Sequence, residues 1–391
     1  MTPAARLQAA IEVLDEVIAS ARDDGPPADS IVTRYFKSRR YAGSKDRRAV
    51  RELVFRAIRR SAERPESGRA AVLGLAEDEA ILFGLFGQPR GPEPLSRDER
   101  AAPARIVPQW LRAELSPLVA ETEWPPLLER APVDLRVNIA RAPRDELIGQ
   151  FANSEPTPLS PWGIRLPADS RVDNHPAFAA GLVEVQDEGS QLIALACGPV
   201  NSGRILDLCA GAGGKSLALA AAASAASVLA TDTNRARLSK LGPRAERAGA
   251  AIETCLLNPP NELEQLAEWR NSADLVLVDA PCSGSGTWRR NPEGRWRLTP
   301  DRLDRVVLLQ QRLLNIAAEL VKPGGRLVYA VCSLLSREGA EQIERFLAAR
   351  SSWISEETPI AGGRSDGRGR LLTPGHDRTD GFFVARLRRP C

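Results

Sequence analysis

Two short stretches of the sequence carry the side chains best suited to covalent chemistry. One reads Asp279-Ala280-Pro281-Cys282-Ser283-Gly284-Ser285-Gly286-Thr287, the other Val331-Cys332-Ser333. Both follow apolar runs of strand character, and in both the cysteine precedes a serine. A buried cysteine is ordinarily a small apolar filler. A pair of them at strand ends, with a carboxylate just ahead of one, points to reactivity instead. A thiolate forms covalent intermediates that split one difficult step into easier ones. It suits addition to C6 of a pyrimidine, which turns C5 into an enamine-like carbon able to take a methyl group from a sulfonium. Loss of the C5 proton then expels the thiol and restores the ring. Asp279, near N3 and N4, would hold the base and favour charge build-up as the thiolate adds. A free thiol titrates at about 8.5, so a nearby positive charge should help activate it, and the sulfonium itself is one candidate.

A third stretch, Asp207-Leu208-Cys209-Ala210-Gly211-Ala212-Gly213-Gly214-Lys215, ends an earlier apolar run and leads into a helical one. Its glycines let the backbone turn tightly and approach a ligand. The helix N-terminus behind them offers unpaired N–H groups. The next strand ends at Asp232, where an acid can hold two ribose hydroxyls. Both S-adenosyl-L-methionine (AdoMet) and NAD supply such a ribose. The run from Cys209 to Lys215 lacks the regular glycine spacing of a dinucleotide fingerprint, which favours AdoMet.

Positioning these groups takes an alternation of strands and helices. Strands are expected at 204–209, 227–232, 252–257, 274–279 and 326–332, with helices such as 215–223 and 300–320 between them. That is the mark of an α/β domain with a parallel sheet covered on both faces. In such a sheet ligands bind beyond the carboxyl ends of the strands, where all three stretches arrive. The run 381–387 is expected to add an antiparallel edge strand. Before this domain, 134–138 and 163–166 read as strands and 144–151 as a helix, a small α+β segment. The first part is helical: Leu7, Ala10, Ile11, Leu14, Val17 and Ile18 form one apolar stripe. A second stripe covers 50–58 with Ser44 as its N-cap. Residues 82–86 read as a third helix and 88–105 as a loop. The expected organisation is 1–125 all-α, 130–185 α+β bridging, and 186–391 catalytic.

Charge adds a partner. Between Arg34 and Arg60 stand eleven Lys or Arg against Asp46 and Glu52. The excess reads as uncompensated and suited to phosphates. The stretch Trp288-Arg289-Arg290-Asn291-Pro292-Glu293-Gly294-Arg295-Trp296-Arg297 reads as a surface that grips phosphates and stacks bases. Six cysteines without metal-ligand spacing and only two histidines argue against a metal site. No apolar stretch is long enough to span a membrane. Glu12, Asp15 and Glu16 fall where a signal peptide needs an apolar core, so a cytoplasmic protein with free thiols is expected.

The stretches 185–191, 207–216, 274–297 and 323–338 resemble the Sun/Nop-type family of RNA 5-methylcytosine methyltransferases. The resemblance implies a Rossmann-like class I AdoMet-dependent methyltransferase domain. It makes Cys332 the nucleophile and Cys282 the helper in later steps, including product release. It puts Cys209, Ala210, Gly211, Ala212, Gly213, Gly214 and Lys215 in the cofactor loop, Asp232 on the ribose, Asn258 at the adenosine, and Asp279 near methyl donor and base. The segment 41–55 resembles the NusB-like RNA-binding domain of the bacterial small-subunit rRNA branch, which favours a 16S rRNA substrate with tRNA as the alternative; a monomer is expected. Three positions depart from the pattern: Val331 replaces a usual Thr, Gly211-Ala212 a usual Ala-Pro, and Asn258 an acid. Two other readings are a DNA cytosine-C5 enzyme, which would use the Pro-Cys cysteine as nucleophile, and a non-catalytic RNA-binding ribosome assembly factor.

Overall fold

The apolar stripe of the N-terminus is buried along its whole length on α1 (Pro3–Arg22), whose first turn Thr2 caps by accepting from the Ala5 amide. α2 (Ala28–Lys37), α3 (Ser44–Arg60) and α4 (Gly68–Asp78) pack their apolar faces into the same core. This is a computed structural model, and it describes all residues of 1–391 except Ser224. Ser44 is the first residue of α3 rather than its cap. Gly43 holds the cap position, and the Asp46 carboxylate accepts the Gly43 amide. Residues 80–85 form a 3-10 turn with Leu82 buried, not an α-helix. Residues 88–105 contain no helix or strand.

The chain divides into two compact units. The first comprises Met1–Glu114, Trp124–Glu129 and Thr287–Pro300; the second Leu115–Glu123, Arg130–Gly286 and Asp301–Cys391. The segment 287–300 thus leaves the α/β part of the sequence and joins the helical core, which overturns its reading as an RNA-gripping surface. Trp288 and Trp296 are each 1% exposed and Arg295 2%. The Arg295 guanidinium donates to the carbonyls of Ile58, Arg59 (3.2 Å) and Ile106 (2.9 Å), and Trp296 Nε1 donates to Ser61 O at 2.8 Å. Ile58 and Arg59 lie in the last turn of α3, where carbonyls have no partner within the helix. A cation there also suits the negative end of the helix dipole.

The basic block is partly compensated: five of its eleven cations form ion pairs. Arg34 pairs with Glu16, Arg39 with Glu12, Arg51 with Asp29, Arg56 with Glu79, and Arg60 with Glu77 and Asp78. Lys37, Arg40, Lys45 and Arg48 remain exposed beside Tyr41, which is 73% exposed.

The second unit contains two sheets. β1 (Val133–Val137), β2 (Glu155–Pro156), β3 (Gly163–Leu166) and β4 (Val183–Val185) form an antiparallel sheet in the order β2-β3-β1-β4. Asp134 on β1 faces Arg165 on β3 and accepts from it through both oxygens, at 2.8 and 2.9 Å. Arg165 also reaches Glu188, the first residue of the helix Glu188–Ala196, at 3.1 Å. A buried ion pair therefore fastens this sheet to the helix that follows it.

The large sheet joins β5 (Ser202–Asp207), β6 (Ala225–Asp232), β7 (Glu253–Leu256), β8 (Ala273–Asp279), β9 (Val321–Val331), β10 (Ile354–Glu356), β11 (Arg364–Asp366), β12 (Gly369–Leu372) and β13 (Phe382–Arg388). Its order is β11-β12-β13-β9-β8-β5-β6-β7, with β5 to β9 parallel and β10 also paired to β13. Leu275, Val276, Leu277 and Val278 are fully buried, as strands covered on both faces must be. β13 runs antiparallel as expected, but it is internal rather than an edge, because β10 and β12 pair with it opposite β9. The order of the strands reverses around β5. Its carboxyl end, between those of β6 and β8, is the switch point where ligands bind.

Candidate active site

Pairing of β8 with β9 brings the two cysteine loops together. Asp279 lies opposite Ala330, and the Ala280 amide donates to Ala330 O at 2.9 Å. Beyond the strands the Gly286 amide donates to Cys332 O at 3.0 Å, and Gly286 O accepts from the Gly381 amide at 2.7 Å. A Cβ on Gly286 would lie 2.0 Å from Gly381 O, so only glycine permits this approach. Cys282 and Cys332 end up half-buried with their sulfurs 3.2 Å apart. Contact with Cys332, reinforced by burial, pushes the Cys282 thiol well above its ordinary pKa. Contact and burial thus both favour the protonated form of Cys282.

Asp279 carries the charge of the site. Lys215 Nζ donates to its Oδ2 at 2.7 Å, and the ammonium sits 5.4 Å from the centre of the Phe382 ring. Burial works to lower the Lys215 pKa, but Asp279 outweighs it and holds the ammonium above its usual value, helped by Cys332 and Asp207. The lysine that the sequence assigns to the cofactor loop thus turns its charge toward Asp279 and the cysteines.

The loop after β5 has the shape that its glycines foreshadow. Gly211 and Gly213 have φ of 58° and 83°, values that favour glycine. A Cβ on Gly213 would lie 1.6 Å from Leu241 Cδ1. Asp232, at the end of β6, accepts from the Gly211 amide at 2.8 Å through one oxygen and from the Asn234 amide at 2.7 Å through the other. Its carboxylate is thereby fixed against the loop. Ala210 is held by its amide on Thr231 O at 2.8 Å, and Ala212 O accepts from Arg244. Gly214 opens the helix Gly214–Ala222. Burial first, and then Asp207, Asp279 and Asp232, push the Cys209 thiol well above its ordinary pKa. Asp207 beneath the loop is fully buried; its pKa is raised by that burial to about 7, and it accepts from Ser216 Oγ at 2.7 Å. Asn258 follows Leu257, whose backbone amide donates to Asp232 O at 3.0 Å; Asn258 itself is exposed, and its backbone amide donates to Gln265 Oε1 at 2.7 Å. A left-handed glycine turn and a fixed carboxylate on adjacent strand ends fit a nucleoside-bearing cofactor in their donor chemistry.

Residues 194–388 match the family described as 16S rRNA methyltransferase RsmB/F. The chain is 34% identical over 321 residues to the ribosomal RNA small subunit methyltransferase B of Salmonella typhi, covering 79% of this chain and 73% of that protein. The chain belongs to the RsmB/F family. The corresponding enzyme of Salmonella enteritidis is equally similar. Among solved structures, PH0851 superposes with a TM-score of 0.76 at 22% identity, covering 99% of both chains. NSun6 from Pyrococcus horikoshii gives 0.63 at 18% identity, covering 72% of this chain and 97% of that one. Both likenesses show the fold, a Rossmann-like α/β methyltransferase domain.

Within this RsmB/F chain, Val331 is fully buried opposite Phe383 of β13. The hydroxyl expected there would face that packed layer. Sequence reasoning missed Glu338. Its carboxylate accepts from the Ser283 amide (2.8 Å), from Gln310 Nε2 (2.9 Å) and from the hydroxyls of Ser283 and Ser333. The one available signal was the serine after each cysteine.

Among the described residues no helix is long and apolar enough to cross a membrane, and no group of three metal-ligating side chains converges.

Proposed function

We propose that this chain methylates C5 of a cytosine in 16S rRNA through a covalent adduct between Cys332 and C6. The observation that carries the reading is the 3.2 Å approach of the Cys282 and Cys332 sulfurs, at the same sheet edge as the Lys215–Asp279 pair. S-adenosyl-L-methionine is the cofactor and supplies an electrophilic methyl group. The backbone of 209–215 and the Asp232 carboxylate hold it, with Asn258 at the adenosine edge. Asp279 orients the base through N3 and N4. Lys215 supplies the positive charge that favours a thiolate at Cys332. The Cys332 sulfur bonds to C6, and C5 gains the electron density it needs. After methylation the C5 proton passes to a water molecule, the C5–H electron pair restores the C5=C6 bond, the C6–S bond breaks, and its electron pair returns to Cys332. Cys282, held protonated beside it, is suited to reprotonate the departing thiolate.

The exposed cluster Lys37, Arg40, Tyr41, Lys45 and Arg48 supports RNA binding by the helical unit, as phosphate contacts with one stacking ring. The protein acts as a cytoplasmic monomer. Bisulfite sequencing of total RNA tests the reading in a deletion strain complemented with the wild-type or Cys332→Ala chain. One protected 16S cytosine should disappear on deletion and return only with the wild type. Return of a tRNA cytosine instead would move the substrate, and no lost site would favour a non-catalytic assembly factor.

A further inference from the structure

Glu338 is fully buried, yet its four donors are all neutral: the Ser283 amide and hydroxyl, the Ser333 hydroxyl and the Gln310 side-chain amide. A buried carboxylate without a cation is costly. What it joins is specific. Ser283 follows Cys282 and Ser333 follows Cys332, so one carboxylate fastens both cysteine loops immediately beside their sulfurs. Gln310 widens the tie: the same Nε2 donates to Pro281 O at 2.9 Å, and Gln342 Nε2 donates to Gln310 Oε1 at 3.1 Å. The Tyr329 hydroxyl donates to Glu338 O at 2.7 Å, which fixes the glutamate's backbone as well. Ser285 completes the lattice, 3.1 Å from both the Ser283 and Ser333 hydroxyls. No other carboxylate among the described residues bridges the two loops.

We propose that Glu338 is a positioning residue of the methyl-transfer site: its carboxylate sets the separation of Cys282 and Cys332 and keeps negative charge on the Cys282 side. The division of labour between two chemically identical thiols then has a physical origin. Lys215 is paired with Asp279 and interacts electrostatically with Cys332, whereas the Glu338 carboxylate is fully buried and bonded to both loops. The glutamate's charge adds to the effects that keep Cys282 a thiol. A carboxylate suits this place better than an amide, because it accepts at both oxygens. The proposal rests on Cys332 and Cys282 being the reacting pair.

Glu338→Gln in the full chain is the test. Glutamine keeps the size, and the serine hydroxyls can turn to accept from its amide. Alkylation of Cys282 and Cys332 is followed separately by peptide mass spectrometry across pH, with turnover on RNA measured in parallel. The expected result is a Cys282 profile moved down by about one pH unit, since a nearby negative charge is gone. Turnover should fall about a hundredfold at unchanged KM for AdoMet, as a misplacement near 1 Å costs. A purely structural role would lower thermal stability without moving the alkylation profile. Should Glu338→Gln fail to fold, the Ser283→Ala/Ser333→Ala variant removes both hydroxyl ties while keeping the carboxylate and its bonds to the Ser283 amide and Gln310, and its turnover should fall, though by less. Turnover within threefold of wild type in whichever variant folds, or an unmoved Cys282 profile in Glu338→Gln, overturns the proposal. Alkylation needs no RNA, so it still judges Glu338 if the wild-type chain methylates nothing.

Discussion

The sulfurs of Cys282 and Cys332 lie 3.2 Å apart although fifty residues separate them in the chain. Neighbouring parallel strands create this approach, and the proposed mechanism uses one sulfur as nucleophile and the other as proton donor. Cys332→Ala should abolish methyl transfer, because C5 stays unreactive without attack at C6. Cys282→Ala should still allow attack and methylation while slowing breakdown of the adduct. Protein–RNA complexes that survive denaturing gels should then accumulate with AdoMet, and none should form with the double variant. Trapping by Cys332→Ala together with an inactive Cys282→Ala would exchange the roles, as in a DNA-type enzyme.

Lys215 interacts electrostatically with Cys332 and is paired with Asp279 at 2.7 Å. Lys215→Met keeps the length of the side chain and removes its charge. Losing a cation disfavours the thiolate, so the alkylation profile of Cys332 should move to higher pH by about one unit or more. Turnover at pH 7 should fall about tenfold or more with it. A profile that does not move would leave activation to the sulfonium alone.

The strands were legible because each is a continuous apolar run, and the cysteines stood out because they follow such runs. The fate of Trp288 to Arg297 was not legible. Tryptophans among arginines look alike on an RNA-binding surface and at a helix end, and only the helix-end carbonyls of Ile58 and Arg59 that accept from Arg295, more than two hundred residues away, decide between them. Compensation of the basic block was hidden for the same reason: Glu12, Glu16, Asp29 and Glu77 to Glu79 lie on other elements. Glu338, within Ser-Arg-Glu-Gly, carries no local pattern that marks it as buried.

Asp232 gives the cofactor reading its own test. Both its oxygens are fixed by backbone amides, so it meets a ribose without rearranging. AdoMet should raise the thermal midpoint of the full chain, since a ligand that binds only the folded state stabilises it by about 2.7 kcal/mol at a hundred times Kd. Asp232→Ala should remove most of that shift. A shift with NAD and none with AdoMet would refute the assignment.

Ionic strength separates the free from the paired cations of the helical unit. Reversal of Lys37, Arg40, Lys45 and Arg48 to glutamate should flatten the salt dependence of RNA affinity, by up to about 0.7 in logarithmic slope for each single-strand phosphate no longer neutralised. Reversal of Arg34, already paired with Glu16, should change the slope little. Equal slopes for the two variants would return the cluster to a plain solvated surface.

Trp296 decides between the two readings of its segment. It is 1% exposed, belongs to the core formed with α1 to α4, and donates to Ser61 O. Trp296→Ala should therefore cost about 3–5 kcal/mol of stability, as large aromatic deletions from a core do. Trp296→Phe keeps most of the apolar volume but leaves Ser61 O without its donor, so its cost should be smaller, about 1–3 kcal/mol. Denaturant unfolding, followed by helical signal and by tryptophan fluorescence, measures both. A stacking tryptophan would behave otherwise: Trp296→Ala would keep its unfolding midpoint and lose RNA affinity under conditions where the protein is fully folded. The buried hydrogen bond makes the first outcome the expected one, because an indole bound to a helix-end carbonyl cannot also swing out to a base.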